Sequence, residues 1–319
     1  MEKQCDLVYL WVDGNCPEML AKRNFWLKKY NRPVDEQAVN NCRFIDNEEL
    51  KYSLRSVEMY APWVNNIYIV TDKQVPKWLN TSHPKIHIID HTEIMPQEAL
   101  PTFNACAIET CLHKIKGLSE HFIFSNDDMF FARPTDFHFF FNENDLPILR
   151  LGKELPPPRN NMYYSMLTYS YNLINKDFDT NFKEDPDHNI TPYLKSVIKE
   201  CIEKYNTEFE YTTNCRFRES NNVQRTIYSA YGFVIGKTVI KPLNKHRSFL
   251  EKFILLITRR ATKDSIYFSI GSKNIIKKIN KYKPYLICIN DTESSNDNNR
   301  NSFKTIAEKL FPKKSEFEL

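Results

Sequence analysis

Apolar positions in the first 130 residues fall into short runs that each stop at an acid. Asp6 to Val12 is such a run, closed by Asp13-Gly14, and reads as a strand followed by a turn. Asn66 to Thr71 (NIYIVT) and Lys85 to Asp90 (KIHIID) read the same way, and His121 to Ser125 (HFIFS) runs into Asn126-Asp127-Asp128. Between these runs the apolar period lengthens to that of a helix. Pro17 to Tyr30 has a proline in its first turn, Leu50, Leu54, Val57 and Tyr60 recur until Ala61-Pro62, and Thr102 to Lys116 follows the same pattern. Strands alternating with helices predict an α/β fold, a mostly parallel Rossmann-like sheet flanked by helices. Ligands of such sheets bind outside the carboxyl ends of the strands. Here those ends carry Asp13, Asp72, Asp90 and the Asn126–Asp128 cluster.

The pattern changes at the proline-rich stretch Leu155 to Arg159, which divides an α/β core (1–154) from a more helical region (155–319) expected to complete the site as one unit with it. That region shows a polar, aromatic stretch to about residue 190 and a helix from Pro192 to Tyr205, with further helices around 245–260 and 300–311. The crowd of Asn and Ser from 290 to 302 reads as a loop. Arg216 and Arg218 alternate, which would put both side chains on one face of a strand. Lys273 to Lys283 (KNIIKKINKYK) holds five lysines and no acid, with Ile275, Ile276, Ile279 and Tyr282 at helical spacing. It is either a core-facing helix with a solvated side or a basic surface for an anionic membrane or a polyanionic glycan.

Composition narrows the classes. With 319 residues, 41% hydrophobic and 26% charged, the chain is of ordinary globular make-up. A net charge of +4 does not mark a nucleic-acid binder. Six glycines supply neither a dinucleotide fingerprint nor a P-loop, so phosphate would have to be held by metal, Arg, Lys or His. Eight cysteines form no C-x-x-C pair and read as free thiols. The apolar run Phe249 to Ile257 is short and contains Glu251 and Lys252, and the first residues lack a signal-peptide core. The expectation is a soluble, cytoplasmic protein.

Asn126-Asp127-Asp128, at a strand end, suits a hard cation such as Mg²⁺ or closes an ordinary Asx turn. Asn290-Asp291, after YLICI, is a second strand-end pair, and the two pairs could converge on one metal. Asp13 orients a ligand or closes a turn with Gly14. Arg55 is a solvated charge or a phosphate ligand, and Asp46-Asn47 reads as a helix N-cap. His188, ahead of a proline-started helix, is a general base, a phosphate contact or an exposed loop histidine. Arg216 and Arg218 grip phosphate in bidentate fashion or form a strand's wet side.

In four places the chain resembles the Stealth family of sugar-phosphate transferases, which includes bacterial capsule polymerases. DLVYLWVDG looks like the family's first motif. RFIDNEELKYSLRSVEMYAPWVNNIYIVTDKQVPKWL with FIFSNDDMFFARP looks like the second. DHNITPYLK with TNCRFRESNNVQ is similar to the third, and CINDTESSN with FPKKSEFE to the fourth. Leu10 stands where the family often has Thr. The resemblance implies a GT-A-like core, Mg²⁺ or Mn²⁺, a UDP-sugar donor (UDP-GlcNAc the commonest) and an oligo- or polysaccharide acceptor. Asp13, Gly14, Arg55, Asp72 and Asn126 would hold the donor, and Asp128 with Asn290 or Asp291 the metal. His188 would be the base, Arg216 or Arg218 the pyrophosphate clamp, with Asp127 beside them in the catalytic set.

Overall fold

The computed structural model describes residues 3–30, 32–155, 161–243 and 263–319. Its strands are β1 (Asp6–Leu10), β2 (Ile67–Thr71), β3 (Ile86–Asp90), β4 (His121–Asn126), β5 (Met129–Phe131), β6 (Ile148–Glu154), β7 (Glu184–Pro186), β8 (Thr191–Leu194), β9 (Val239–Pro242), β10 (Ser265–Ser269) and β11 (Leu286–Asn290). The main sheet runs β3-β2-β1-β4-β8. Its first four strands are parallel, and β8 closes it antiparallel to β4. Because helices cover both faces, β1 and β2 are apolar along nearly their whole length rather than alternating. The fold is α/β with a mostly parallel central sheet, as the alternating pattern requires.

Two devices fix the start of this sheet and the strand β5 that leaves its end. Buried Asp6 accepts from the Asn66 and Ser119 amides at 3.0 and 2.7 Å and from both Asn65 and Asn66 side chains, so its charge is spread over donors and has no catalytic slack. The helix Glu49–Tyr60 lies against β5 through two small polar residues, Ser53 and Ser56, both fully buried. Ser53 Oγ donates to the Met129 carbonyl and Ser56 Oγ accepts from the Phe131 amide at 3.0 Å, which lets backbone approach backbone without orphaned groups.

Residues beyond 155 are threaded into structures begun before it. β11 pairs antiparallel with β5 and parallel with β10, while β6 pairs with β7 and β9. Among the described residues the region also holds six helices, Met162–Phe178, Lys195–Lys204, Asn206–Asn214, Thr226–Val234, Ile275–Tyr282 and Asp297–Leu310, so it is more helical than residues 1–154, as its sequence pattern suggests.

Several elements differ from the sequence reading. Thr102–Lys116 is not one helix: five helical residues (Ala105–Glu109) give way to a 3₁₀ turn at Leu112–Lys114. The Thr110 hydroxyl takes up the Ala107 carbonyl and faces Thr213, which interrupts the ladder. Thr191–Leu194 pairs with β4, so the helix expected from Pro192 begins only at Lys195. The aromatic stretch before residue 190 contains the helix Met162–Phe178. Asp46-Asn47 is not the cap of the helix at Glu49: Glu48, at φ 64°, holds that position, and Asp46 accepts its amide instead. The proline cluster at 156–159 and the helix expected at 245–260 lie outside the described residues. Lys273–Lys283 does form a helix, Ile275–Tyr282, with Ile275 and Ile279 buried and all five lysines exposed. Among the described residues no helix is long and apolar enough to cross a membrane.

Candidate active-site cleft

The acidic carboxyl ends of β1 and β4 open onto a cleft of about 1610 Å³. Asn126, Asp127 and Asp128 lie on its floor, where β4 turns tightly into β5. The register of β5 against β11 sets Met129 opposite Cys288, and the Asp128 carbonyl accepts the Ile289 amide at 2.9 Å. Cys288 and Asn290, two residues apart on β11, share a face. The Asn290 side-chain amide therefore donates to Asp128 Oδ2 at 2.7 Å, and the Cys288 thiol reaches the same oxygen at 3.4 Å. Asp128 Oδ1 is buried and has no partner. An orphaned carboxylate oxygen in a residue only 7% exposed is costly unless a cation or ligand meets it.

His188 follows β7 and stands in the cleft wall between the rings of Tyr163 and Tyr267, 6.2 and 5.7 Å away. One of its ring nitrogens, an Asp128 oxygen and Cys288 Sγ all lie within 4.8 Å of one another. Enclosure pushes the imidazole down to about 4, and the Arg225 and Arg218 charges add to this while Asp128 opposes it. His188 is thus uncharged near pH 7.

Two walls flank it, one of carboxyl groups and one of arginines. On one, burial and the charges of Glu49, Asp128 and Asp46 hold Asp127 well above the usual carboxylate range. Burial, with Asp46 adding, pushes Glu49 up to about 8 against two 2.6 Å hydrogen bonds from Asn47. Asp46 itself is raised to about 6 by burial. On the other wall stand Arg43, Arg218 and Arg225. Arg225 leans on Glu109 at 3.3 Å. Arg43 and Arg218 have no carboxylate partner among the described residues, and enclosure with the like charge of Arg218 brings Arg43 down to about 10. Two neighbouring guanidiniums lining one cleft suit an anionic ligand.

The sequence-derived candidates divide accordingly. Asn126, Asp127, Asp128, His188, Arg218, Asn290 and Asp291 all line the cleft. Asp291 is already gripped by Arg300 at 2.7 and 3.4 Å, so Asn290 is better placed than Asp291 to join Asp128. Arg216 and Arg218 do not share a strand face, because residues 215–222 turn instead. Arg216 stacks on Trp26 and donates to the carbonyls of Glu98, Ala99 and Pro101, away from the cleft. Arg55 holds Glu318 through two 2.8 Å bonds and is occupied there. Asp72 pairs with Lys22 at 2.6 Å. Asp13 is tied to Gln74 through its backbone, its side chain accepts the Asn15 amide, and Gly14 presses on Phe44, where a Cβ would come within 2.3 Å. These last four residues build the cleft's surroundings and are not among its lining.

Sequence reasoning gave no role to Arg43, Glu49, His91, Arg225 or Cys288, of which all but Cys288 line the cleft. For Arg43 and Glu49 a signal existed, since both fall within the long second motif. Cys288 likewise opens the fourth motif, CINDTESSN, whereas Arg225 falls just outside the third and gains its neighbours only through the pairing of distant elements.

The donor set suits a hard divalent ion. Asp128 offers a free carboxylate oxygen, Asn290 is an amide beside it, and open space leads to the arginines, where phosphate oxygens would complete an oxygen shell.

Residues 43–149 match the family model described as Stealth protein CR2, conserved region 2. A capsular polysaccharide phosphotransferase of Haemophilus influenzae is 35% identical over 92% of this chain and 79% of its own length. An exopolysaccharide phosphotransferase of Lactiplantibacillus plantarum is 32% identical, covering 98% of this chain and 96% of its own. Another from Streptomyces coelicolor is 36% identical over 73% of the chain, which spans only 41% of that longer relative. A solved galactosyltransferase, LgtC, aligns over 96% of the chain at 9% identity with a TM-score of 0.40, which adds nothing to the sheet order described above. With relatives of this identity along nearly its full length, the chain belongs to the Stealth family of polysaccharide phosphotransferases.

Proposed function

We propose that this protein transfers a sugar 1-phosphate from a UDP-sugar, with UDP-GlcNAc the first candidate, to a hydroxyl of a surface or capsular polysaccharide. A phosphodiester forms and UMP leaves. The observation that carries this reading is the placement of a neutral imidazole, His188, beside Asp128, whose Oδ1 is unpartnered, within the charge reach of Arg218 and Arg225.

Phosphoryl transfer needs positioning and charge neutralisation more than a covalent nucleophile. Arg43 and Arg218 supply guanidiniums for the pyrophosphate, and Arg225 lines the same cleft, paired with Glu109. Asp128 and Asn290 would hold Mg²⁺ or Mn²⁺, which when bound neutralises pyrophosphate oxygens. His188 Nδ1 or Nε2 takes the proton of the acceptor hydroxyl as its oxygen attacks the β-phosphorus. The bond from phosphorus to the bridging oxygen of UMP breaks, and the anomeric carbon–oxygen bond stays intact. Asp127, which burial and the neighbouring Glu49, Asp128 and Asp46 charges hold above the usual carboxylate range, faces the same cleft and would contact a substrate oxygen. The exposed lysines of the helix Ile275–Tyr282 suit a polyanionic acceptor or an anionic membrane face, and we place the protein at the cytoplasmic side of such a membrane.

The test is chromatography of the nucleotides released from a panel of UDP-sugars with Mg²⁺ and a cell-derived glycan acceptor. The reading expects UMP, and only when acceptor is present. Release of UDP would mean attack at the sugar carbon and would overturn it.

A further inference from the structure

The group Asp128, His188 and Cys288 contains two donors that a hard ion does not want. Mg²⁺ takes oxygen ligands and disfavours thiol and imidazole. Carboxylate, imidazole and thiolate together are instead a set for zinc. We infer that Asp128, His188 and Cys288 form a second, inhibitory cation site, for a thiophilic divalent ion of the Zn²⁺ class, that shares Asp128 with the catalytic position. Its inhibitory consequence rests on the function proposed above, but the binding does not.

Four observations support the site. The three donor atoms lie within 4.8 Å of one another, and among the described residues this is the one group of three or more His, Cys, Asp or Glu that meets that limit. A tetrahedral zinc has ligand-to-ligand separations of about 3.3–3.6 Å, so the widest gap has to close by only ~1 Å. Cys288 is fully buried at the centre of β11, and its sulfur already points at Asp128 Oδ2 from 3.4 Å. Independently, Asp128 Oδ1 is buried without a partner, which leaves one carboxylate oxygen free for a cation while the other keeps its bond from Asn290. The entry path is the cleft, which Asp128 and His188 both line.

Coordination forms a sulfur–zinc bond, and the Cys288 proton leaves to solvent. The charge of the ion replaces the proton, as it does for coordinated thiols generally. With zinc bound, His188 has its lone pair engaged and cannot accept a proton from the acceptor. Asp128 is likewise withdrawn from the hard ion. The cleft therefore sorts cations by softness: an oxygen-seeking ion supports turnover, and a sulfur-seeking ion arrests it.

The experiment uses the whole protein, freed of metal. Co²⁺ is added as a spectroscopic stand-in for zinc, and Zn²⁺ binding is then measured by competition with a chromophoric chelator. The site predicts a near-ultraviolet sulfur-to-cobalt charge-transfer band and one tightly bound zinc per chain. Cys288→Ser should abolish the band and weaken zinc at least tenfold. His188→Gln, at a less buried position, should weaken zinc similarly while leaving the band. A double Cys16→Ser, Cys42→Ser variant, at the two half-exposed thiols, should change neither. A cobalt spectrum without the thiolate band, or zinc binding undiminished by Cys288→Ser and His188→Gln, overturns the proposal. If UMP release were not found while the thiolate band was, the function would fall and the cation site would stand. UMP release without the band would do the reverse.

Discussion

Arg55 separates a donor ligand from a structural clamp. Its guanidinium donates from Nε and Nη2 to the two carboxylate oxygens of Glu318, both at 2.8 Å, and from Nη1 to the Phe311 carbonyl at 3.0 Å. The two side chains are 11% and 4% exposed. Arg55→Ala leaves the Glu318 carboxylate buried with only the Ser315 amide and hydroxyl, at 2.8 and 3.0 Å, to hold it. Removing one partner of a buried pair costs about 3–5 kcal/mol, and the surviving Ser315 bonds favour the lower end, about 3. At roughly 2–4 °C per kcal/mol, the melting temperature should fall by about 6–12 °C. Glu318→Gln should lose less, and the double variant should lose clearly less than the sum, because each change removes the same contact. The assay is a thermal melt of the four proteins, with the donor KM taken well below every transition. The account expects lowered melting with donor KM within about twofold of wild type. An unchanged melt with donor KM raised tenfold or more would refute it and return Arg55 to the donor site.

Other outcomes follow from the cleft. Arg218→Met should raise donor KM tenfold or more, whereas Arg216→Met should lower stability and leave KM unchanged; steady-state kinetics beside melts distinguish them. His188→Ala should cut kcat by about 10²–10⁴ while donor affinity, measured by calorimetry, stays within about twofold. Asp128→Asn should lose turnover on the order of a thousandfold, with weaker Mn²⁺ binding by paramagnetic resonance. Glu49, raised to about 8 in the fold, is protonated there while the unfolded chain ionises above its ordinary 4.5. The metal-free protein should therefore lose stability as pH rises from 4.5 towards 8, and Glu49→Gln should flatten that slope in urea titrations.

The central strands were legible because a parallel strand covered on both faces must be apolar throughout, and Leu7–Leu10, Ile67–Val70 and Phe122–Phe124 are. The acid at each strand end marked the cleft for the same topological reason. What escaped were contacts made by distant pairing. Cys288 meets Asp128 only because β11 joins β5. Arg216 and Arg218, two residues apart, point to different places because the segment turns where a strand's alternation was expected. Thr191–Leu194 has a proline and two apolar residues that suit a helix start, but the exposed edge of β4 recruits it as a strand. The pairing of Arg55 with Glu318 spans most of the chain, and no local pattern carries it.

The central claim is that phosphorus moves with the sugar. A UDP-sugar donor labelled at the β-phosphorus tests this directly, with the purified protein, Mg²⁺ and glycan acceptor. The account predicts label in the polymer, in a linkage resistant to phosphatase, with unlabelled UMP in solution. Label recovered in UDP, with sugar but no phosphorus in the polymer, would contradict it.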